Sequence, residues 1–350
     1  MSAWLVSAAA IASGAPVGAP LAITHGAVVH PERERGKAID PDQTVIIRAD
    51  RIDAVGPTVS TAVPSGAQVV DGSGKWLIPG LTDAHVHFFQ PANPYTRPDA
   101  ADLTGVVPYA AEFARNKARL PATFKVWIAS GVTSVVDVGG PMWNFDVREA
   151  ARAAAIAPEV AVAGPLISMI ADPPLELNDP PIIRTSTVAE ARALVARELA
   201  RHPDYVKVWF IHEPGTDLAA QEAIVHAVAD AAHHAGVPLA VHATELETAK
   251  AALRAGADYL VHSVEDFPVD ADFLALMKRN EALYCPTLWV ESGYEYMFAG
   301  LWRATDAERR LADPQVLAMM DDLRTLPDEK VPERVRRLRA AGKEPPPVST

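Results

Sequence analysis

The stretch WLIPGLTDAHVHFF, residues 76–89, constrains the fold of this chain more than any other part of its sequence. It predicts a buried apolar strand that is introduced by Pro79 and Gly80 and ends in His85 and His87. Side chains two residues apart on a strand point to the same side, so the two imidazoles aim at one point. Because neutral imidazole is a common metal ligand, the pair predicts part of a metal site. Taken alone, the pair equally suits two polar residues at a strand end.

Composition excludes several classes of protein. With 350 residues, 49% of them hydrophobic, the chain is long enough for one large domain and a smaller one. The formal net charge of -12 argues against nucleic acid and anionic membrane as main partners. No apolar run reaches the length of a membrane span. The single cysteine, Cys285, excludes an intramolecular disulfide and a cysteine-rich zinc site.

Two segments precede the histidine pair. Residues 1–20 are small and apolar, as in a secretory signal, although no Lys or Arg precedes the apolar run. An exported or periplasmic location is therefore favoured over a cytoplasmic one, and a buried first strand is the alternative for this segment. Residues 21–75 contain the β-branched runs LAITHGAVVH and TVIIRADRIDAVG, broken by turns. They predict a small antiparallel β-element, the N-terminal part of a small β-sandwich domain.

From residue 76 onward, apolar strands alternate with amphipathic helices that a glycine closes. A helix is predicted from about Tyr109 to Ser130, and residues 166–183 are predicted to form a loop. Two further helices open with capping-box patterns, Thr187 with Glu190 and Thr244 with Glu247. Such alternation indicates an α/β fold with a parallel sheet covered by helices. Seven strands are predicted, and the (β/α)8 TIM-barrel-type architecture that they indicate needs an eighth.

Three more candidate ligands lie at predicted strand ends, where barrels of this type carry their active sites. Lys207 lies inside the fourth strand between two valines, His242 ends the fifth strand, and His262 ends the sixth. A lysine in an apolar strand is costly unless its charge is removed or paired, and reaction with carbon dioxide would turn it into a carbamate able to bridge two cations. Each residue alone also fits a lysine that snorkels to solvent or a core histidine. As a set, they predict a metal site.

The motifs PGLTDAHVH, DYVKVWF, VHATE and VHSVED resemble those of the amidohydrolase superfamily, metal-dependent hydrolases built on this barrel. The resemblance covers about residues 21–289 and is closest to the imidazolonepropionase-like and prolidase-like branch. It implies one metal ion bound by His85 and His87, a second bound by His242 and His262, and a carboxylated Lys207 that bridges them. Two zinc ions are expected, although the ligands also suit other transition metals.

The resemblance also implies a reaction, the hydrolysis of a C–N bond by a metal-activated bridging water. A dipeptide, an N-acyl amino acid or a cyclic amide is the expected small-molecule substrate. Hydrolysis of a lactone or an organophosphate ester at the same site is an alternative, as is a non-catalytic scaffold. Side chains just past the strand ends are predicted to face the substrate, with loop solvation or helix capping as the alternative: His212, Glu213, Glu265 and Asp266. Tyr294 and Tyr296 are predicted either to line a pocket or to pack within a surface helix.

One part of the family pattern has no match in this sequence. The aspartate that the family carries at the end of strand eight, as a metal ligand and proton carrier, is not found. After Val290 the sequence is helical and charged, and the final KEPPPVST cannot form a strand because of its prolines. Residues 76–350 are therefore expected to form a barrel without strand eight, from a truncated rather than a naturally short chain.

An open barrel has consequences for activity and assembly. The chain alone is expected to be weakly active or inactive, and its unpaired edges would encourage homo-oligomers. Asp137, at the end of the second predicted strand, is a conceivable substitute for the absent aspartate, but a structural role is favoured for it.

Overall fold

The computed structural model of the chain describes residues 18–91, 93–170 and 177–341. It divides into two compact units. One contains the described residues through Thr82 together with Gly131–Thr133, and the other contains Asp83–Ser130 and the described residues from Ser134 onward. Most of the predicted signal, residues 1–17, lies outside the described residues.

The first unit is built on a five-stranded sheet. Its strands are β1 (Leu21–Val29), β2 (Ile39–Arg48), β3 (Arg51–Pro57), β4 (Gln68–Asp71) and β5 (Trp76–Leu77). β1 pairs antiparallel with β2, and β2 with β3, whereas β4 and β5 run parallel to β1. The sheet is mixed rather than antiparallel because alternation along a strand shows which face is buried but not the direction of its partners.

The prediction of one continuous buried strand over residues 76–89 is wrong. β5 stops at Leu77, and a separate strand, β6 (Leu81–Val86), begins after Gly80. Pro79 cannot donate a ladder hydrogen bond, which favours the interruption. Gly80 also lies so close to Thr133 that a Cβ atom would be 1.9 Å from the threonine hydroxyl. Trp76 is exposed, and His87 lies just beyond the end of β6.

The remaining strands are short and parallel. They are β7 (Val132–Asp137), β8 (Glu159–Val162), β9 (Leu166–Ser168), β10 (Ile182–Arg184), β11 (Val206–Trp209), β12 (Leu239–His242), β13 (Tyr259–Val261) and β14 (Leu283–Cys285). β6, β7 and β8 form one sheet, and the other sheet has the order β10-β9-β11-β12-β13-β14. A parallel bridge between Ala163 and Tyr205 continues β8 towards β11.

The helices alternate with these strands and then dominate the end of the described chain. They are α1 (Tyr109–Ala118), α2 (Leu120–Ala129), α3 (Asn144–Ala153), α4 (Val188–Leu199), α5 (Leu218–His234), α6 (Leu246–Arg254), α7 (Ala271–Arg279), α8 (Val290–Phe298), α9 (Asp306–Leu311), α10 (Pro314–Thr325), the single 3-10 turn Asp328–Lys330, and α11 (Glu333–Ala341). Parallel strands alternating with helices confirm the predicted α/β fold. Among the described residues no strand follows β14, and no helix has the length and apolar character to cross a membrane.

Three local predictions are corrected. Pro121 begins a new helix, so the helix predicted over residues 109–130 is two, α1 and α2. The loop predicted over residues 166–183 contains β9 and β10. At α6, Glu245 occupies the N-cap without a side-chain bond, and Asp266 from a later loop accepts the Leu246 N–H instead of the predicted capping box.

Both faces of the central strands β11, β12 and β13 are buried. Val206, Val208 and Leu239 pack into the helix layer with α4, α5 and α6. The alternating residues Ala240 and Tyr259 pack into a separate cluster on the other face. Burial on both faces is typical of a parallel sheet wrapped by helices, and it places Lys207 and His242 on the inner face.

The C-terminal helices pack on the loop that follows β6. Tyr95 and Leu103 of this loop share a hydrophobic cluster with Phe298 of α8, Leu323 of α10 and Val335 of α11. The Tyr95 hydroxyl also donates to Asp322 over 2.8 Å. The loop after the histidine pair is thus held by helices far along the chain.

Candidate metal centre

Four histidine rings from three strand ends meet on the inner face. The ring of His85 lies 5.3 Å from that of His87 and 4.6 Å from that of His262, and the His262 ring lies 4.3 Å from that of His242. All three pairs pack edge to face. The structure therefore brings together the four histidines that the sequence singled out.

Lys207 lies among these rings. The residue is 1% exposed, and its ammonium nitrogen has no hydrogen-bond partner in the part of the chain that the structure describes. Burial lowers the pKa of Lys207 to about 7, because the charged form loses its hydration, and the nearby Cys285 opposes this only in part. The charge of Lys207 in turn helps to lower the pKa of all four histidines. An uncompensated lysine amid imidazoles is a costly arrangement for structure alone.

The four imidazoles are neutral. Burial, the main cause, lowers the pKa of His87 and of His262 to about 3, and it shifts the pKa of His85 and His242 in the same direction. Neutral rings keep the lone pair that a metal ligand needs.

His87 is held in one tautomer by β7 and the loop after it. Its Nδ1 donates to the Gly139 carbonyl over 2.6 Å, which leaves Nε2 with its lone pair. Asp137, fully buried at the end of β7, accepts from the N–H of Phe88 over 2.9 Å and from the N–H of Gly139 over 3.1 Å. Burial raises the pKa of Asp137 to about 7, against these hydrogen bonds. Its carboxylate thus fixes the backbone on both sides of the His87 contact.

His262 reaches the cluster through an unusual backbone conformation. It follows Val261, whose side chain lies on the inner face, so strict alternation would turn His262 outward. Its φ is 78°, in the left-handed region that side chains other than glycine seldom adopt, and this turns the ring inward. The Nδ1 of His262 is 2.9 Å from the Thr287 hydroxyl, so Nε2 is left for a ligand.

The donor set fits a metal site in its chemistry. His85 Nδ1 and Lys207 Nζ are buried without a hydrogen-bond partner in the described ranges, and neutral imidazoles with a carboxylated amine are ligands that divalent transition metals accept. Within the described residues, however, no three His, Cys, Asp or Glu side chains are already arranged to hold an ion. The rings pack against one another, so metal binding requires them to turn and separate.

The predicted substrate-facing residues lie outside the histidine cluster's contacts. His212 Nδ1 lies 2.9 Å from the side-chain oxygen of Gln221 and 3.0 Å from the Thr216 hydroxyl. Asp266 accepts from the backbone N–H of Leu246, which is a capping role. Glu265 is an exposed residue overall. Loss of hydration around its carboxyl, and next the negative charge of Glu291, raise its pKa.

Sequence reasoning missed residues that surround the cluster. Trp209, at the end of β11, packs its ring 5.9 Å from that of His242. Arg97, in the loop after β6, lies near enough for its charge to lower the pKa of His87, His242 and His262. The tryptophan could have been found by its position two residues beyond Lys207, but nothing local marks Arg97.

Comparison with known proteins places the chain among enzymes. Residues 76–290 match the model of the amidohydrolase family. An imidazolonepropionase from Idiomarina loihiensis is 39% identical over 54 residues, 15% of this chain and 13% of that protein. The matched segments span only 7% to 15% of the curated relatives.

Solved structures show the same fold at low identity. A Xaa-Pro dipeptidase with bound methionine in its active site has a TM-score of 0.62 at 18% identity, over 93% of this chain and 77% of that one. The ochratoxinase of A. niger has a TM-score of 0.61 at 19% identity, over 87% of this chain and 71% of that one. Since the family model covers more than half of the residues, the chain belongs to the amidohydrolase family, whose members are generally metal-dependent.

Proposed function

We propose that this chain carries the centre of a hydrolase that cleaves the C–N bond of an amide-type substrate with two divalent metal ions, zinc in the first instance. His85 and His87 would hold one ion, His242 and His262 the other, and Lys207, carboxylated by carbon dioxide, would bridge them. The observation that carries the proposal is Lys207, buried without an acceptor among four neutral imidazoles. Carbon dioxide would add to the neutral amine of Lys207 with release of a proton, and the two metal cations would compensate the charge of the buried carbamate that results.

Metal ions bound there would polarise the scissile carbonyl and lower the pKa of a bound water. The protein's own contribution is orientation and exclusion of solvent. The Gly139 carbonyl fixes the His87 ring, and the Thr287 hydroxyl fixes the His262 ring. The rings of Phe89 and Trp209 pack against His87 and His242 and shield them from water. A water-poor site strengthens each electrostatic interaction within it.

The names of the structural relatives support the reaction type. A Xaa-Pro dipeptidase and an ochratoxinase share the fold, and the matched imidazolonepropionase shares part of the sequence. Dipeptides and N-acyl amino acids are therefore the first substrates to offer. A panel that adds lactones and phosphotriesters separates this proposal from ester hydrolysis.

Metal content tests the proposal directly. The full chain, expressed with zinc and bicarbonate, should carry about two metal ions per chain by elemental analysis, and the Lys207→Ala variant should lose them. Lys250→Ala is the matched control, because Lys250 is a lysine of helix α6 whose ammonium forms ion pairs with Glu247 and Asp270. Folded protein without bound metal, or full metal content in the Lys207 variant, would overturn the proposed centre.

A further inference from the structure

Arg97 presents a prepared anion-binding group beside the histidine cluster. Its Nε and Nη2 donate to the Asp99 carboxylate over 2.9 and 2.7 Å. Its Nη1 donates to the Tyr294 hydroxyl, and its guanidinium carbon lies 4.9 Å from the centre of the Tyr294 ring. The Arg97 side chain is 27% exposed. Its guanidinium is therefore fixed in place by these contacts but is still accessible to a ligand.

Several hydrogen-bond donors at this position have no acceptor within residues 18–91, 93–170 and 177–341. A guanidinium carries five N–H groups, and the contacts of Arg97 use three of them. Because the Tyr294 oxygen accepts from Arg97, its own proton is free to be donated. The Tyr109 hydroxyl is buried, with the residue 7% exposed, and it has no hydrogen-bond partner among the described residues. Buried hydroxyls are normally hydrogen-bonded, so this orphan group points to a ligand.

These donors adjoin the metal centre. Tyr109 packs with Leu166 and Ile182 in a cluster that Trp209 also contacts, and the Trp209 ring lies against His242. The charges of Arg97 and Asp99 both act on Tyr109. The residues come from the loop after β6, from α1 and from α8, so they surround one corner of the inner face.

We propose that Arg97, Tyr109 and Tyr294 form a subsite for a carboxylate of the substrate. Combined with the proposed hydrolysis, on which this inference rests, the subsite selects N-acyl amino acids and dipeptides that end in a free carboxylate over neutral amides. A carboxylate accepts from several donors at once, and its bonds to a guanidinium are charge-assisted. Asp99 holds the guanidinium so that its remaining N–H groups face the ligand.

The affinities of two probes that the enzyme cannot hydrolyse test the subsite without turnover. N-benzylglycine and N-benzylglycinamide share the same amine and ring and differ in the terminal carboxylate. On the full zinc-loaded chain, isothermal titration calorimetry should show the acid binding about tenfold or more tighter than the amide. Arg97→Met should abolish this preference, and Arg152→Met, which alters an exposed ion pair with Glu149 on α3, should retain it.

Tyr109→Phe is the second variant, because it removes only an oxygen that bonds to none of the described residues and so spares the fold. It should reduce the preference for the acid while zinc content stays the same. Equal binding of the two probes, binding of neither, or an unchanged preference in both variants would overturn the subsite. Preference without hydrolysis of any substrate would refute the proposed reaction alone, and hydrolysis indifferent to the carboxylate would refute the subsite alone.

Discussion

Replacing Asp137 by asparagine tests how the protein holds the His87 side of the metal centre. The two oxygens of this buried carboxylate accept from the N–H groups of Phe88 and Gly139, which lie on either side of the His87 contact. Asparagine has one oxygen and an NH2 group, so one of these backbone donors would face another donor. The Gly139 carbonyl would then no longer be held where the His87 Nδ1 needs it.

The hydrogen bonds of Asp137 allow the loss of zinc affinity in Asp137→Asn to be estimated. A buried donor left without an acceptor costs about 1–3 kcal/mol. Loss of a group that orients a metal-binding histidine lowers metal affinity about 10–100-fold, which corresponds to about 1.4–2.7 kcal/mol. The two figures agree, so Asp137→Asn should weaken zinc binding by one to two orders of magnitude.

Competition with a chromophoric zinc chelator measures this change. Asp146→Asn is the control, because Asp146 lies on the neighbouring helix α3 and only pairs with Arg201 at the surface. Circular dichroism shows whether each variant is folded. A folded Asp137→Asn protein with the zinc affinity of the unaltered chain would refute the orienting role.

Three stability predictions follow from buried or capping groups. Glu198 is fully buried without a hydrogen-bond partner among the described residues and burial raises its pKa, so Glu198→Leu should raise the free energy of unfolding by about 1–3 kcal/mol. Because the pKa of Glu198 is higher in the folded than in the unfolded protein, the unaltered protein loses stability as the pH rises above the unfolded value. The gain in melting temperature from Glu198→Leu should therefore be larger at pH 7 than at pH 5, and an equal gain would contradict this. Gly164→Ala should cost about 1–3 kcal/mol, because the new Cβ would lie 2.9 Å from Phe145; an unchanged melting temperature would show that the core yields there. Thr187→Ala should cost about 0.5–2 kcal/mol in urea unfolding, because its side chain caps α4 by accepting from the Glu190 N–H, and Ser at this position should restore the stability.

Much of the fold was predictable because its signals are local. Alternating apolar strands and glycine-closed helices identify the α/β architecture, and His242 and Lys207 follow from the two-residue period of their strands. Pro79 indicates a break between β5 and β6, because proline cannot donate a hydrogen bond within a sheet, so this error was avoidable from the sequence. The direction of β4 and β5 was not predictable, since neither strand encodes which neighbour it pairs with.

The site itself was predictable only in part. His262 enters the cluster through a left-handed backbone conformation, and no glycine in the sequence marks that turn. Arg97 and Tyr109 acquire their role from contacts with α8 and β11, which are remote in sequence. Long-range contacts of this kind leave no periodic pattern in the residues that make them.

The contact between the loop after β6 and the C-terminal helices also sets an order of events during synthesis. Tyr95 and its acceptor Asp322 are 227 residues apart in the chain. At a translation rate of about 5–20 residues per second, the loop waits roughly 11–45 s for the helix that holds it. Lys207 is itself synthesised within that interval, so in its later part the lysine and the strands up to β13 can exist before α10 does. The loop after β6 therefore gains its contacts with α8, α10 and α11 only after the strands of the inner face have been made, and chaperones would meet the nascent protein before these contacts form.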